Sequence, residues 1–329
     1  MMMITRPILA GTGVLLALLA SLAPTWTMAQ AYPSKPIRVI VAFAPGGGTD
    51  ILSRVIGQKL QELWGQSVVI ENRPGASGRI GTELVARAAP DGYTLIGTSS
   101  GPFVISPTLT RKLTYDVAKD FAPITMAVTY PYLLTAHPSV PAKTAAQLIA
   151  LAKANPGKLN FAAGGYATPT HLSAELFKLM GKIDTLVIGY NGTGAAHIGV
   201  LTGDCALLFG NVIAQAAHLR SGKLKAIGIS SARRSSLLPD IPTISESGVP
   251  GFEVDSWFGW LAPAGTPADV VDKLHKEIVR IVHSADMKAR LVSEGADPVG
   301  NTPAEFVKHM ASETAKWAKV IKAADIKSQ

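Results

Sequence analysis

Arg38-Val39-Ile40-Val41-Ala42-Phe43-Ala44-Pro45-Gly46-Gly47-Gly48-Thr49-Asp50 decides how the chain is read. An apolar, β-branched run meets a proline and three glycines. An amphipathic stretch opening at Thr49 or Asp50 then continues through Ile51, Leu52, Val55, Ile56 and Leu60. The pattern predicts a strand over 37–43, a tight loop, and a helix over 50–63. Such a junction aims bare backbone N–H groups and the positive end of a helix dipole at one point, where an anion is stabilised.

The spacing excludes nucleotide loops. No lysine follows the glycines as a P-loop requires, and Ile51 stands where the third glycine of a dinucleotide fingerprint is needed. Moving outward, the same strand–loop–helix grammar recurs. Strands are predicted over 68–71 and 94–98, and a helix over 79–88 after the loop Asn72-Arg73-Pro74-Gly75-Ala76-Ser77-Gly78. This β-α-β-α-β order implies an α/β fold with a largely parallel sheet and ligands beyond the strands' carboxyl ends.

A second α/β unit follows. Helices are predicted over 144–154, 171–180 and 195–201, and strands over 159–163, 186–190, 206–209 and 226–230, completing a second sheet. Two further glycine loops, Gly164-Gly165-Tyr166-Ala167-Thr168-Pro169-Thr170 and Asn191-Gly192-Thr193-Gly194, precede helices. Residues 233–250 read as a connector, 252–262 as an aromatic strand, and 266–283 as a long helix with Pro267 in its first turn. Four such junctions suit two lobes that aim helix N-termini at a shared cleft.

Chemistry beyond binding finds little support. No G-x-S-x-G occurs. Ser99 and Ser100 end a strand and read as hydroxyl donors or caps. The seven histidines and single cysteine show no metal-ligand spacing. Cys205 reads as a small buried hydrophobe, and Trp257 and Trp260 as packing where the chain crosses between lobes. The formal charge of +8 is scattered, without interleaved aromatics. It favours acidic small molecules over nucleic acid.

Residues 1–31 read as a signal peptide: Arg6, an apolar run over 8–23, and the small-x-small site Ala29-Gln30-Ala31. Export to the periplasm is therefore expected, with cleavage near Ala31 and a soluble mature chain.

In this order the segments closely resemble the Bug family of periplasmic solute-binding proteins, the receptors of tripartite tricarboxylate transporters. The resemblance rests on Tyr32-Pro33-Ser34-Lys35-Pro36-Ile37, on the opening loop, and on Glu71-Asn72-Arg73-Pro74-Gly75-Ala76-Ser77-Gly78. It continues in Pro90-Asp91-Gly92-Tyr93-Thr94-Leu95, Lys119-Asp120-Phe121-Ala122-Pro123-Ile124, Asn155-Pro156-Gly157-Lys158-Leu159 and Tyr190-Asn191-Gly192-Thr193. Gly248-Val249-Pro250-Gly251-Phe252-Glu253, Trp257-Phe258-Gly259 and Ala262-Pro263-Ala264-Gly265-Thr266-Pro267 complete it.

The resemblance implies a type II-like, Venus-flytrap fold: lobe 1 over 32–128, lobe 2 over 129–253, and a crossing strand with return to lobe 1 over 254–329. It implies a monomer that needs no cofactor or metal and delivers a di- or tricarboxylate, acidic amino acid or aromatic acid to membrane permease subunits. By matching position the ligand would meet Phe43, Gly46, Gly47, Asp50, Ala76, Ser99 and Ser100 from lobe 1, and Gly165, Thr168, His171, Tyr190, Gly192, Thr193 and Gly194 from lobe 2. The residue types add Thr49 as a hydroxyl donor and Tyr166 as a cleft wall. Two alternatives are a carboxylate sensor feeding a signalling receptor and a periplasmic enzyme acting on a carboxylate.

The chain departs from the family pattern at Tyr166-Ala167, and at Gly199 and Ala206, where aspartates are usual. Phe43 and Tyr166 suggest stacking on an aromatic acid. Micromolar binding needs about 8 kcal/mol, and exposed helix dipoles supply only ~0.3–1 kcal/mol each. The sequence reading therefore assigns recognition to several backbone N–H and hydroxyl donors rather than to one arginine clamp.

Overall fold

The opening stretch folds as its sequence dictates. In a computed structural model, β1 (Ile37–Val41) pairs in parallel with β2 (Val68–Asn72) on one side and β3 (Thr94–Ser99) on the other. The first strand stops at Val41, two residues short of the expected end, because the chain bends at Ala42 and Phe43. Helix α1 (Gly48–Trp64) starts earlier than expected, at the last glycine. Helix α2 (Arg79–Ala86) follows β2 through a 3-10 turn at Ala76–Gly78.

The longest strand is one that the sequence reading missed. After a π-helical turn (Gly101–Ile105) and two short helices, α3 (Ser106–Leu109) and α4 (Val117–Asp120), β4 runs over Phe121–Ala136. Its first part pairs antiparallel with β9 (Asp255–Pro263), itself antiparallel to β3. From Tyr132 onward it pairs with β7 (Leu207–Asn211), and over Leu133–Ala136 with β8 (Lys225–Ile229). The change of partner falls at Pro131, a residue with no N–H to give to the ladder. Bulges flank Thr125 and Val128. The second group of parallel strands, β5 (Asn160–Ala163), β6 (Leu186–Gly189) and β7, is therefore joined to the first through β4 rather than standing alone. A short β10 (Asp297–Pro298) adds to β4.

The remaining helices are α5 (Ala145–Ala154), α6 (Pro169–Gly181), α7 (Thr193–Leu201), α8 (Val212–Arg220), α9 (Ala268–Val282), α10 (Ala285–Ser293) and α11 (Pro303–Ala323). Pro267 caps α9 instead of lying inside its first turn. A capping box between Thr302 and Glu305 starts α11, whose Phe306, Met310 and Trp317 are buried. Trp257 and Trp260 are fully buried on β9, as expected of packing residues, and Trp257 meets Phe306 edge-on at 5.1 Å. A second aromatic nucleus joins Phe161, Phe177, Phe209 and Phe252 at centroid separations near 6 Å.

The structure describes residues 1, 32–43, 45–46, 48–110, 112–166, 168–190, 192–293 and 295–327. The signal peptide expected over 1–31 lies outside them except for Met1, as do Gly47, Ala167 and Asn191 of the glycine loops. Lys35–Gln329 forms one compact unit. Among the described residues, no helix is long and apolar enough to cross a membrane.

Candidate functional site

The first glycine loop is shaped by a carboxylate. Asp50, almost fully buried in the first turn of α1, accepts the Gly46 N–H at 2.9 Å. It also accepts Asn72 Nδ2 at 2.9 Å and pairs with Arg54 one turn on at 3.0 Å. Asn72 in turn donates to the Phe43 carbonyl. Burial pulls the Asp50 pKa upward, but hydrogen bonds from Arg54, Gly46 and Asn72 outweigh it, and the carboxyl titrates below the usual range. Asp50 is thus committed to the loop's interior, and the Gly46 N–H is not bare as the sequence reading supposed. Thr49 is buried beside it.

The second loop lies under Phe43, whose ring sits 3.3 Å from where a Cβ on Gly78 would be. Ala76 and Ser77 both hold left-handed backbone, with φ of 48° and 57°. That conformation costs L-residues roughly 1–2 kcal/mol each. The turn is clasped by Arg79, whose backbone N–H and Nε both donate to the Ala76 carbonyl. Arg79 Nη1 donates to Thr110 Oγ1 at 3.2 Å.

The third loop is held by hydroxyls. Thr168 caps α6, accepting the His171 N–H at 3.4 Å and donating to the Gly165 carbonyl at 2.8 Å. Thr170 Oγ1 lies 3.0 Å from Thr168 Oγ1 and accepts the Gly164 N–H. His171 is buried behind Tyr166, ring centroids 5.0 Å apart, and burial lowers its pKa. The fourth loop backs onto the third: Gly192 N–H donates to the Gly164 and Tyr190 carbonyls.

The first three loops open on a cavity of about 190 Å³. Four of the expected residues line it: Phe43 and Ser99 from the first half, Tyr166 and Thr168 from the second. Ser77, Ser106, Thr110, Arg79 and Lys327 complete its polar lining, and no acid is among the lining residues. Sequence reasoning missed all five. The signal for Arg79 was its position directly after a glycine loop, at the start of a helix. Lys327 also donates its backbone N–H to Tyr166 Oη at 3.1 Å.

The other expected residues sit elsewhere. Ala76 lines a neighbouring 150 Å³ hollow while Ser77 takes its place. Gly46, Thr49, Asp50, Ser100, Gly165 and His171 do not line the cavity, nor do Gly192, Thr193 and Gly194. Tyr190 points away into a small core, its hydroxyl 3.3 Å from buried Cys205 Sγ. That explains one departure from the family pattern. A Cβ on Gly199 would lie 2.3 Å from Tyr190 Oη, so the aspartate usual there has no room.

A larger apolar groove of about 930 Å³ lies between α11 and the α3–α4 segment, walled by Phe103, Tyr115, Phe121, Val307 and Met310. Its polar groups include Asp116 and Asp120. Asp116 caps α4, and Asp120 accepts the Asp116 N–H. Although Lys119 pairs with Asp116 at 3.1 Å, no cation lines the groove itself and two carboxylates do, which disfavours an anion there, so the smaller cavity is the better candidate.

Known proteins agree with this architecture. Residues 52–326 match the tripartite tricarboxylate transporter family receptor. Protein BugT of Bordetella pertussis is 37% identical over 316 residues, covering 96% of both chains. Rpa4515 from R. palustris, solved with adipate, superposes with a TM-score of 0.80 at 35% identity, covering 90% of this chain and 99% of that one. MatC from Rhodopseudomonas palustris, solved with bound malate, gives 0.75 at 33% identity, covering 88% of this chain and 100% of the other. The α/β periplasmic-binding-protein fold is shared with these receptors, and the family is one of solute receptors, not enzymes. The chain belongs to the Bug, or tripartite tricarboxylate transporter receptor, family.

Proposed function

We propose that this chain is a periplasmic receptor that takes up a small carboxylate between two lobes and passes it to the permease of a tripartite tricarboxylate transporter. The observation that carries the reading is the lining of the 190 Å³ cavity. Phe43, Ser77 and Ser99 from the N-terminal loops meet Tyr166 and Thr168 from the later ones, with Arg79 and Lys327 as the cations and no acid. The volume is below the ~300–1,000 Å³ typical of drug-sized ligands and suits a small acid. Relatives solved with adipate and malate support the same chemistry. A ligand touching both halves would favour a closed form, which the permease would read.

The lobes would be 32–128 with 254–329, and 129–253, hinged where β4 and β9 cross. A thermal-shift screen tests the reading with aliphatic and aromatic carboxylates against the matched amines and amides. Carboxylates alone should raise the melting temperature. Equal response to the amides, or none to any acid, defeats it.

A further inference from the structure

We propose that Asp255 makes the crossing of β4 and β9 a proton-controlled hinge: this structure is the form held while its carboxyl carries a proton, and ionisation favours a form in which the carboxylate reaches water. Calling the crossing a hinge rests on the two-lobed reading; the proton control does not.

The first observation is position. Pro131 and Asp255 are the last pair of β4 with β9, and the next residue, Tyr132, already pairs with Asn211 of β7. One residue ties the two strands at that point. Ser230 Oγ accepts the Tyr132 N–H at 2.8 Å and donates to the Val254 carbonyl. The Ser230 backbone N–H donates to the Tyr132 carbonyl, and its carbonyl accepts the Val254 N–H, each at 2.9 Å. Asp255 follows this knot directly, so its charge acts where the strands part.

The second observation is a missing donor. Asp255 Oδ1 is buried and finds no hydrogen-bond partner among the described residues. Pro131 opposite it has no N–H to give. A carboxylate buried without donors is far costlier than the neutral acid.

The third is the surrounding charge. Glu253 on the same segment, Glu313 on α11 and Asp297 on β10 all repel a charge on Asp255, and Lys316 on α11 opposes them. Lys316 is already engaged, pairing with Glu313 and donating to the Glu253 carbonyl at 3.1 Å. His309, one turn before Glu313, has its pKa lowered by burial and supplies no counter-charge near neutrality. Tyr130 and Tyr132 on β4 are raised by burial and stay neutral as well. Burial, and then the charge of Glu253, lifts the Asp255 carboxyl from 3.8 to about 7. The folded state thus keeps a proton that the unfolded chain releases above pH ~4, and the stability this supplies is lost as pH rises to about 7. A second form that hydrates the carboxylate gains population over the same range, and a ligand that prefers either form is bound pH-dependently.

Hydrogen exchange read by mass spectrometry near pH 6 and pH 8, corrected for intrinsic rates, tests this on the wild type, Asp255→Asn and Glu253→Gln. In the wild type, peptides spanning 128–134 and 252–258 should exchange at least threefold faster at the higher pH, while the peptide over β1 does not change. X-ray scattering should show the radius of gyration shifting with the same midpoint. Asp255→Asn should abolish both responses, and Glu253→Gln should move the midpoint to lower pH. Thermal melts establish that each variant folds; should Asp255→Asn not fold, the Glu253→Gln midpoint carries the test.

A crossing whose exchange is the same at both pH values overturns the inference, as does a response that survives in Asp255→Asn or a midpoint that ignores Glu253. Exchange that responds at a constant radius of gyration overturns the hinge, because the proton then acts on the crossing alone. Failure to bind any carboxylate at either pH defeats the receptor reading instead and leaves the response at Asp255 standing.

Discussion

The loop after β1 and the loop before α6 do the same job with different chemistry. Each turns a strand into a helix beside the 190 Å³ cavity. The first is organised around a buried charge: Asp50 gathers Gly46, Asn72 and Arg54. The second is organised around two threonine hydroxyls and backbone carbonyls, with no ionised group in its bonds. A carboxylate in that cavity would meet a loop whose own carboxylate is already neutralised, and another that carries none. Two stable loops can be built either way, but only the first can be switched off by protonation.

The largest effect should come from removing that charge. Asp50→Asn keeps the shape but turns one acceptor into a donor facing Arg54 and Asn72. Urea unfolding at pH 7 should show a loss of about 3 kcal/mol. The pH dependence gives a sharper reading. Because the folded-state pKa lies below the unfolded value of 3.8, Asp50 stabilises the fold above pH ~4 and loses that contribution as pH falls through the folded pKa. Wild type and Asp50→Asn should therefore converge in stability once the pH falls below the folded-state pKa. A difference that is independent of pH would mean that shape rather than charge holds the first loop.

In the neighbouring junction before α7, packing replaces charge. Tyr190 lies over Gly199 with its hydroxyl on Cys205. Gly199→Ala puts a methyl group 2.3 Å from Tyr190 Oη, forcing the ring out at a cost of about 2 kcal/mol. The melting temperature should fall without any change in its pH profile. Full stability in Gly199→Ala would show that Tyr190 is free to relocate, and would return it to the list of candidate ligand contacts.

How much of this was readable in advance follows the same divide. The glycine loops and, to within two residues, the starts of the expected helices were legible because glycine, proline and capping residues act within a few positions of themselves. The strand β4 was not, since Pro123 and Pro131 interrupt its pattern and its partners lie some 70 to 170 residues away in the chain. Arg79 escaped for a related reason: its placement depends on a strained turn at Ala76 and Ser77 and on Thr110, more than thirty positions on. Tyr190 was misdirected by resemblance. Matching position put it in the cleft, whereas Gly199 opens a space behind it that the residue types alone do not reveal.

The smallest effect separates capping from ligand contact in the hydroxyl-held loop. Thr168→Val keeps the β-branch and removes one oxygen that bonds the Gly165 carbonyl, Thr170 and the His171 N–H. Loss of the cap should lower stability by about 1 kcal/mol, against about 3 for Asp50→Asn. Thr168 also lines the cavity, so calorimetry should show carboxylate affinity reduced by roughly fivefold, equivalent to ~1 kcal/mol, with Thr168→Ser restoring both. If stability falls while affinity holds, the hydroxyl is wholly spent on its own loop, as the Asp50 carboxylate is on its loop. The two loops would then be alike in offering the ligand only backbone and walls, leaving Arg79 and the serines to supply recognition.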